Sequence, residues 1–521
     1  MKNSFFFIFV FICILVGSVA YGQENKIGKE NQKPATIELQ HANSMNYNKD
    51  IANDARRFIG DVKLQQEDMF MYCDSVYLYS TDNNIKAFDN VKLVKGDSIE
   101  VFSDYLFHAG NIKRAQFRNN VILQDKKVTL YSDSLDYDIN SNRAYYFNGG
   151  KIVDSTAVLT SQIGYYYANE KLFFFKDKVV VENENYRVYT DTLKYDINTN
   201  LVSFQGPTTI INDTATLYSE RGWYNTKTGE ALIWQNARYS NSQQIMYGDT
   251  IFYNQKRDFG EAFNNIQIYS LKDSIILSSD YVHFDKKKNT SLLTKRALVT
   301  QIFKGDSLFL HADTIYAQID SVNDSAFNRI SLYHKAQLYS KTIQMRADSV
   351  VFSMKDSIIQ LYYNPVIWSD SIQMTADRIN ILLVDNDLKE LHLLENSLIV
   401  MQHDSVHYDQ IKGQTIIGYL EDKKLKRADV DKRAEVIYYL LDNDQISSMN
   451  SSRCRNIDIL FDDGQIDRVI FLSSPDGKVL PLADIVPGNM YFRNFQWLDV
   501  LRPQERNDIF IWKDKTKIKK P

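Results

Sequence analysis

The residues best suited to chemistry in this 521-residue chain are a recurring hydroxyl–carboxylate pair and one pair of histidines. Ser132-Asp133 is typical of the first. A hydroxyl beside a carboxylate could supply a nucleophile and its activating base. Such pairs recur along the chain, however, and a catalytic site is not built a dozen times. A side chain that steadies a bend by bonding to nearby backbone amides explains the recurrence better. His403 and His407 stand four apart with Asp404 between them, a spacing that would hold a metal on a helix. Their surroundings read as strand and no third ligand follows. Asp462-Asp463 falls in a turn. There is no phosphate-cradling glycine loop, no nucleophile elbow and no Cys-x-x-Cys. The reading is therefore of a protein that is not an enzyme, with no cofactor and no metal.

The elements behind these residues form a repeat. The Asp recurs at Asp74, Asp104, Asp133, Asp191, Asp249, Asp280, Asp313, Asp348 and Asp377, nearly always beside a hydroxyl. Asn43, Gln162 and Glu220 fill the same register, and Gln414 opens a degenerate further copy. From Asn43 to Asp377 the intervals run from 29 to 35 residues, most of them 29. A fixed period of this size marks a repeat architecture. Counted from each Asp, apolar residues fall at −5, −3 and −1, then at +2 and +4, as in Ile372, Met374, Ala376, Ile379 and Ile381. Alternation at period two is a strand with one buried face. The odd step across the Asp would turn the side chains to the wrong face, so a bulge or corner is expected there. Return strands carry an aromatic, one or two turn-forming residues, then a β-branched residue, as in Phe88-Asp89-Asn90-Val91 and Phe117-Arg118-Asn119-Asn120-Val121. Gly and Asn at those places suit a second kink. Twelve copies predict roughly two dozen antiparallel strands, an all-β fold.

Composition bounds the function. Lys+Arg 61 against Asp+Glu 65 leaves −4, no basis for binding nucleic acid. Met1 to Gly22 reads as a secretory signal peptide, with Lys2, an apolar run from Phe5 to Val16, and Ala20-Tyr21-Gly22 before the cleavage point. Residues 23–36 read as a disordered linker, 37–442 as the repeat array, and 443–521 as a Pro-rich cap or docking segment. Asp442 to Ser452 reads as a polar link, followed by a hairpin through Ile457 to Phe461, Asp462-Asp463-Gly464 and Ile466 to Phe471. The two cysteines beyond the leader, Cys73 and Cys454, make no disulfide framework. Bent strands stacked along one axis make two facing walls with an apolar interior. Periodicity alone leaves open whether that interior is packed solid or forms a groove.

Leu130-Tyr131-Ser132-Asp133-Ser134-Leu135-Asp136-Tyr137-Asp138 and Ala115-Gln116-Phe117-Arg118-Asn119-Asn120-Val121 resemble the OstA/LptA repeat. The resemblance covers nearly all of residues 37–420. It implies an elongated antiparallel β-jellyroll, or β-taco, of about twelve ~29-residue two-strand repeats, open along one side. It implies a periplasmic protein, with association to the outer membrane as a further option, that shields the lipid A acyl chains of lipopolysaccharide. The implied partners are other jellyroll-type transport proteins at the inner- and outer-membrane ends, together with end-to-end self-association. The chain is longer than the usual periplasmic bridge protein, its Pro-rich tail has no counterpart there, and it carries no carboxy-terminal membrane barrel. The candidate lipid-groove residues are Val121, Leu123, Leu130, Leu135, Tyr137, Ile343, Met345, Val350, Ile372, Met374 and Ile379. Lys126 and Gln373, at the opposite phase, are expected to face outward. An exported scaffold or adhesion protein with a packed, ligand-free interior is the alternative.

Overall fold

The computed structural model describes residues 35–47, 55–96, 99–124, 128–153, 157–271, 274–303, 306–322, 325–353, 355–384, 387–421, 424–443, 445–462 and 465–514. The leader, nearly all of the linker, Lys126 and Asp463-Gly464 lie outside them. Among the described residues the chain is almost wholly strand, closed by four short 3-10 turns, and every recorded strand pairing is antiparallel. Among the described residues no helix is long and apolar enough to cross a membrane. The chain divides into two units. One comprises residues up to Ser242 with Asp249–Arg257, and the other Gln243–Gly248 with residues from Asp258 onward.

In the first unit, successive hairpins run Ala55–Gln66, Met69–Tyr79, Asn84–Lys95, Ile99–Ala109, Arg114–Gln124 and Thr129–Asp138. Each strand has two arms joined at a corner. Residues from both arms enter one core: Val62, Leu64 and Met71 from one, Val76, Ile85 and Leu106 from the other. The far tips of the arms also meet. His108 Nε2 lies 2.6 Å from Gln66 Oε1, and Lys113 Nζ is 2.9 Å from Glu67 Oε1. Tips joined in this way require the ribbon to fold over at the corner into two facing walls. A second core, including Phe175, Val179, Leu193 and Tyr195, continues the interior of this unit.

The corner is built differently from the sequence expectation. The extra residue lies in the return strand rather than at the Asp. Phe88 pairs with Tyr105 and Val91 with Ser103, so Asp89 and Asn90 together oppose Asp104 alone. Both members of such pairs take left-handed backbone: Asp89 (φ 59°) with Asn90 (47°), and Asn119 (62°) with Asn120 (50°). The same occurs as far along as Glu395-Asn396 and Lys432-Arg433. Asn and Asp tolerate this region better than other side chains, which explains the recurring Asn after the aromatic. At Gly60 (φ 79°) the same left-handed backbone is taken without a side chain, and an added Cβ would displace Asn43 Nδ2, which lies 2.7 Å from its position.

In the second unit the strands do not stop at Asp442. Lys424–Asp442 turns directly into Gln445–Asp462, so the expected polar link is a tight hairpin and a strand. Gln465–Leu472 and Asp476–Pro481 both pair with Gln445–Asp462 and end the sheet. The tail beyond Pro481 then lies across a sheet face.

Candidate functional site: an apolar inner lane and a covered outer face

Cross-strand partners share a face, so the inner surface can be traced residue by residue. In the first unit one lane runs Leu64, Met71, Leu93, Val101, Leu123, Leu130, Ile152, Leu159 and on to Ile210, Leu217 and Tyr239. Leu64 to Val101 are at most 5% exposed, whereas Leu123, Leu130 and Ile152, and again Leu217 and Tyr239, are half-buried. In the second unit the lane runs Ile268, Leu277, Val299, Leu310, Leu338, Met345, Ile367, Met374, Ile399, Ile411 and Val436. Ile268, Leu277, Leu310 and Leu338 are half-buried, and from Met345 onward no residue of the lane exceeds 3%. Each unit thus has a sealed stretch and a half-open stretch of the same apolar surface.

The candidate groove residues all lie on inner faces, five in the first unit and six in the second. Val121, Leu135, Met345, Val350, Ile372, Met374 and Ile379 are buried; Leu123, Leu130, Tyr137 and Ile343 are half-buried. Sequence reasoning missed the more open positions Leu217, Ile268, Leu277 and Leu310. Their spacing matches that of the buried ones, so the sequence pattern does not separate them.

Gln373 does not face solvent. It is 0% exposed, and its amide lies beneath the tail. Gln373 Nε2 donates to Gln496 O (2.8 Å), and Leu498 N donates to Gln373 Oε1 (2.7 Å). Gln410 does the same one strand pair further on, donating to Met490 O (2.8 Å) and accepting from Phe492 N (2.9 Å). Gln337 Nε2 reaches Ile509 O and Ile511 O, each at 3.0 Å, and Arg502 Nε donates to Gln344 Oε1 at 2.7 Å. A primary amide presents a donor and an acceptor side by side, so it can bond a C=O and an N–H two residues apart as a neighbouring strand would. Between these anchors Leu498 and Leu501 pack on Val366 and Trp368, Phe495 on Leu398, Val400 and Tyr408, and Met490 on Ile437, Tyr439 and Met449. A sequence signal existed. Val366-Ile367-Trp368 and Leu398-Ile399-Val400-Met401 are unbroken apolar runs, the mark of a sheet buried on both faces.

The corner aspartates are mostly exposed and bind the bulge opposite. Asp74 and Asp104, each through Oδ2, accept from the Nδ2 of Asn90 and Asn120 at 2.7 Å, and Asp377 accepts from Asn396 at 2.8 Å. Asp313 accepts from Lys335 Nζ at 2.9 Å. Asp133, Asp191, Asp280 and Asp348 occupy the same register position against their bulges, and Asp249 lies within Gln244–Asn254. These recorded partners are side chains of the next strand rather than the local backbone amides expected. Glu220 makes the same bond, accepting from Asn236 Nδ2 at 2.7 Å, while Gln162 bonds its bulge through the backbone, its N–H donating to Asp177 O at 2.9 Å. Gln414 faces Glu395-Asn396 in the same way.

His403 and His407 are each spent on a carboxylate. His403 Nε2 lies 2.9 Å from the buried Asp409, and His407 Nδ1 2.7 Å from Asp404. The Asp409 carboxylate beside it raises the His403 pKa, and the hydrogen bond donated by His407 pulls Asp404 down to about 2. Among the described residues no three His, Cys, Asp or Glu are grouped to hold a metal. Cys73 is free and buried, its thiol pushed up to about 12 by burial, and Cys454 is free and half-buried.

Comparison with known proteins accords with this architecture. A family model described as OstA-like protein matches residues 34–191 and 187–249, rather less than half of the chain. No curated protein matches. Sixteen chains of solved structures do. One is LptH from Pseudomonas aeruginosa, described as the LptA-homologous periplasmic component of the conserved lipopolysaccharide transport device. It is 15% identical, the match covers 26% of this chain and 93% of LptH, and the TM-score is 0.21. Over residues 34–249, the chain is similar to the OstA-like family.

Proposed function

We propose that this is a periplasmic protein of lipopolysaccharide transport that holds lipid A acyl chains against its inner lane and helps carry them between membranes. The observation that carries the reading is the half-open apolar stretch of the lane, Leu217 and Tyr239 in one unit and Ile268, Leu277, Leu310 and Leu338 in the other. Each methylene moved from water onto such a surface gains about 0.8 kcal/mol, so acyl chains bind without directional contacts. Neighbouring positions on the lane are chemically alike, so a chain can shift along it without catalysis. The drive for movement comes from elsewhere. Each end of the sheet offers partner proteins an edge for strand addition. Glu38–His41 and Ser44–Tyr47 pair only with Ala55–Gln66, and the last two strands only with Gln445–Asp462, among the recorded pairings.

Photo-crosslinkers test the lane. At Leu277 or Ile268 they should capture lipopolysaccharide in the native envelope, while at the exposed, outward-facing Gln267 they should not. Equal capture at both phases, or none at either, removes the assignment. The sealed stretches, Leu64–Val101 and Met345–Val436, favour a second reading, an exported scaffold with a ligand-free interior. Mass spectrometry of the protein purified from its native envelope separates the two, since only the first predicts a bound acylated lipid.

A further inference from the structure

In the first unit the half-open stretch through Leu123, Leu130 and Ile152 is incompletely covered on the other wall as well. There the cross-strand row nearest the arm tips runs Tyr137, Ala144, Tyr166, Phe173 and Tyr195. Phe173 and Tyr195 are buried, whereas Tyr137, Ala144 and Tyr166 are half-buried. Leu123, Leu130 and Ala144 pack against one core of this unit, and Leu130, Ile152 and Tyr166 against the other. The opening therefore lies where the two cores meet. Lys95 stands at one end of it. It follows Val91 and Leu93 in inward phase and pairs across strands with Met69 and Ile99. Its ammonium lies 5.5 Å from the centre of the Tyr137 ring, whose hydroxyl is spent on Asn142 Oδ1 at 3.1 Å. Where the arm tips meet, Lys113 is neutralised by Glu67 at 2.9 Å, and Asp138 beside Tyr137 is taken by Arg114 at 3.4 Å. Among the described residues no carboxylate is paired with Lys95. A lysine so placed lays its stem on apolar surface and keeps its charge at the water boundary.

We propose that Lys95 is the head-group anchor of a site for an anionic amphiphile. The ligand's phosphate or carboxylate meets the Lys95 ammonium, while its acyl chain lies between Leu130 and Ile152 on one wall and Ala144 and Tyr166 on the other. The apolar surface accepts any chain. The ammonium adds a charge-assisted contact that an uncharged lipid does not make. That contact fixes the direction and depth of the chain, which a chemically uniform lane leaves free. The Tyr137 ring holds the ammonium at the rim by its attraction for a cation. This inference rests on the reading of the lane as an acyl surface, and it adds the charge that the ligand must carry.

Ile152→Cys in the full-length chain reports this stretch, with alkylation sites located by peptide mass spectrometry because Cys73 and Cys454 are also free thiols. Leu130→Cys is the second reporter, should the first fail to fold. Dodecyl phosphate should protect the reporter from a maleimide at a roughly tenfold lower concentration than dodecylglycerol, which has the same chain without the charge. Adding Lys95→Met, which keeps an apolar stem, should bring the two concentrations together, while Lys95→Arg should keep them apart. Raised salt should narrow the gap. Inorganic phosphate alone should not protect, since the head group is held only together with its chain. Equal protection by the two amphiphiles with Lys95 in place, or a preference that survives Lys95→Met, overturns the anchor and leaves the acyl reading standing. Protection by inorganic phosphate alone would mark a bare anion site and also overturn it. Failure of both amphiphiles to protect defeats the acyl reading of this stretch, and the anchor with it.

Discussion

At most corners the strain falls on a pair of residues in left-handed backbone. Asn120 shows why its side chain matters, because it both tolerates φ 50° and donates to Asp104. Asn120→Val should destabilise the first unit by about 1–3 kcal/mol, since a β-branched side chain is strained there and the bond to Asp104 is lost. Asn120→Gly should cost far less, and chemical denaturation of the two variants would separate strain from hydrogen bonding. A second residue-scale prediction concerns His108, which is 0% exposed and bonded to Gln66 where the arm tips meet. Burial lowers its pKa from 6.5 to about 4. The unfolded chain therefore binds a proton that the folded one refuses in that interval. The stabilisation is complete above pH 6.5 and falls away as pH drops toward 4, by roughly 3 kcal/mol in total. Amide exchange in Ile99–Ala109 should accelerate over that range, and His108→Asn should flatten the dependence.

At the scale of elements, the tail and the wall beneath it form one structure. Gln410→Ala leaves the C=O of Met490 and the N–H of Phe492 without their partner in a buried place. A lost amide pair of this kind costs about 1–3 kcal/mol. Protease cleavage within residues 482–514 should therefore become faster in Gln410→Ala, while the strands of the first unit keep their amide protection. Unchanged cleavage would mean that the apolar contacts of Phe495, Leu498 and Leu501 alone hold the tail. The corners work differently. They repeat, so no single one governs the ribbon, and the loss of one loosens its neighbours without unfolding the rest.

For the molecule as a whole, each unit combines a sealed core that holds the walls together with an apolar lane that is not fully covered. Sealed cores give stability, and the half-open stretch gives a surface with affinity for hydrocarbon. A protein that only needed to be a rod would gain by closing the entire lane, because half-buried leucine and isoleucine forfeit part of their transfer free energy. Lipid capture at Leu277 and none at Gln267 is the result that ties this incomplete burial to function.

The repeat, the all-β class and the inward phase of residues such as Met345, Met374 and Ile379 were legible in the primary structure. They follow from local periodicity, which each strand expresses by itself. The corner was legible in its place but not in its construction. A change of phase is visible one strand at a time, whereas a bulge is a relation between two strands. Only the tertiary structure decided which face of Gln373 mattered, which lengths of the lane were sealed, and where the tail lay. A glutamine between isoleucine and methionine reads as outward and wet until another segment covers it. That covering segment lies more than a hundred residues away in Gln496 and Leu498, where no local pattern can point.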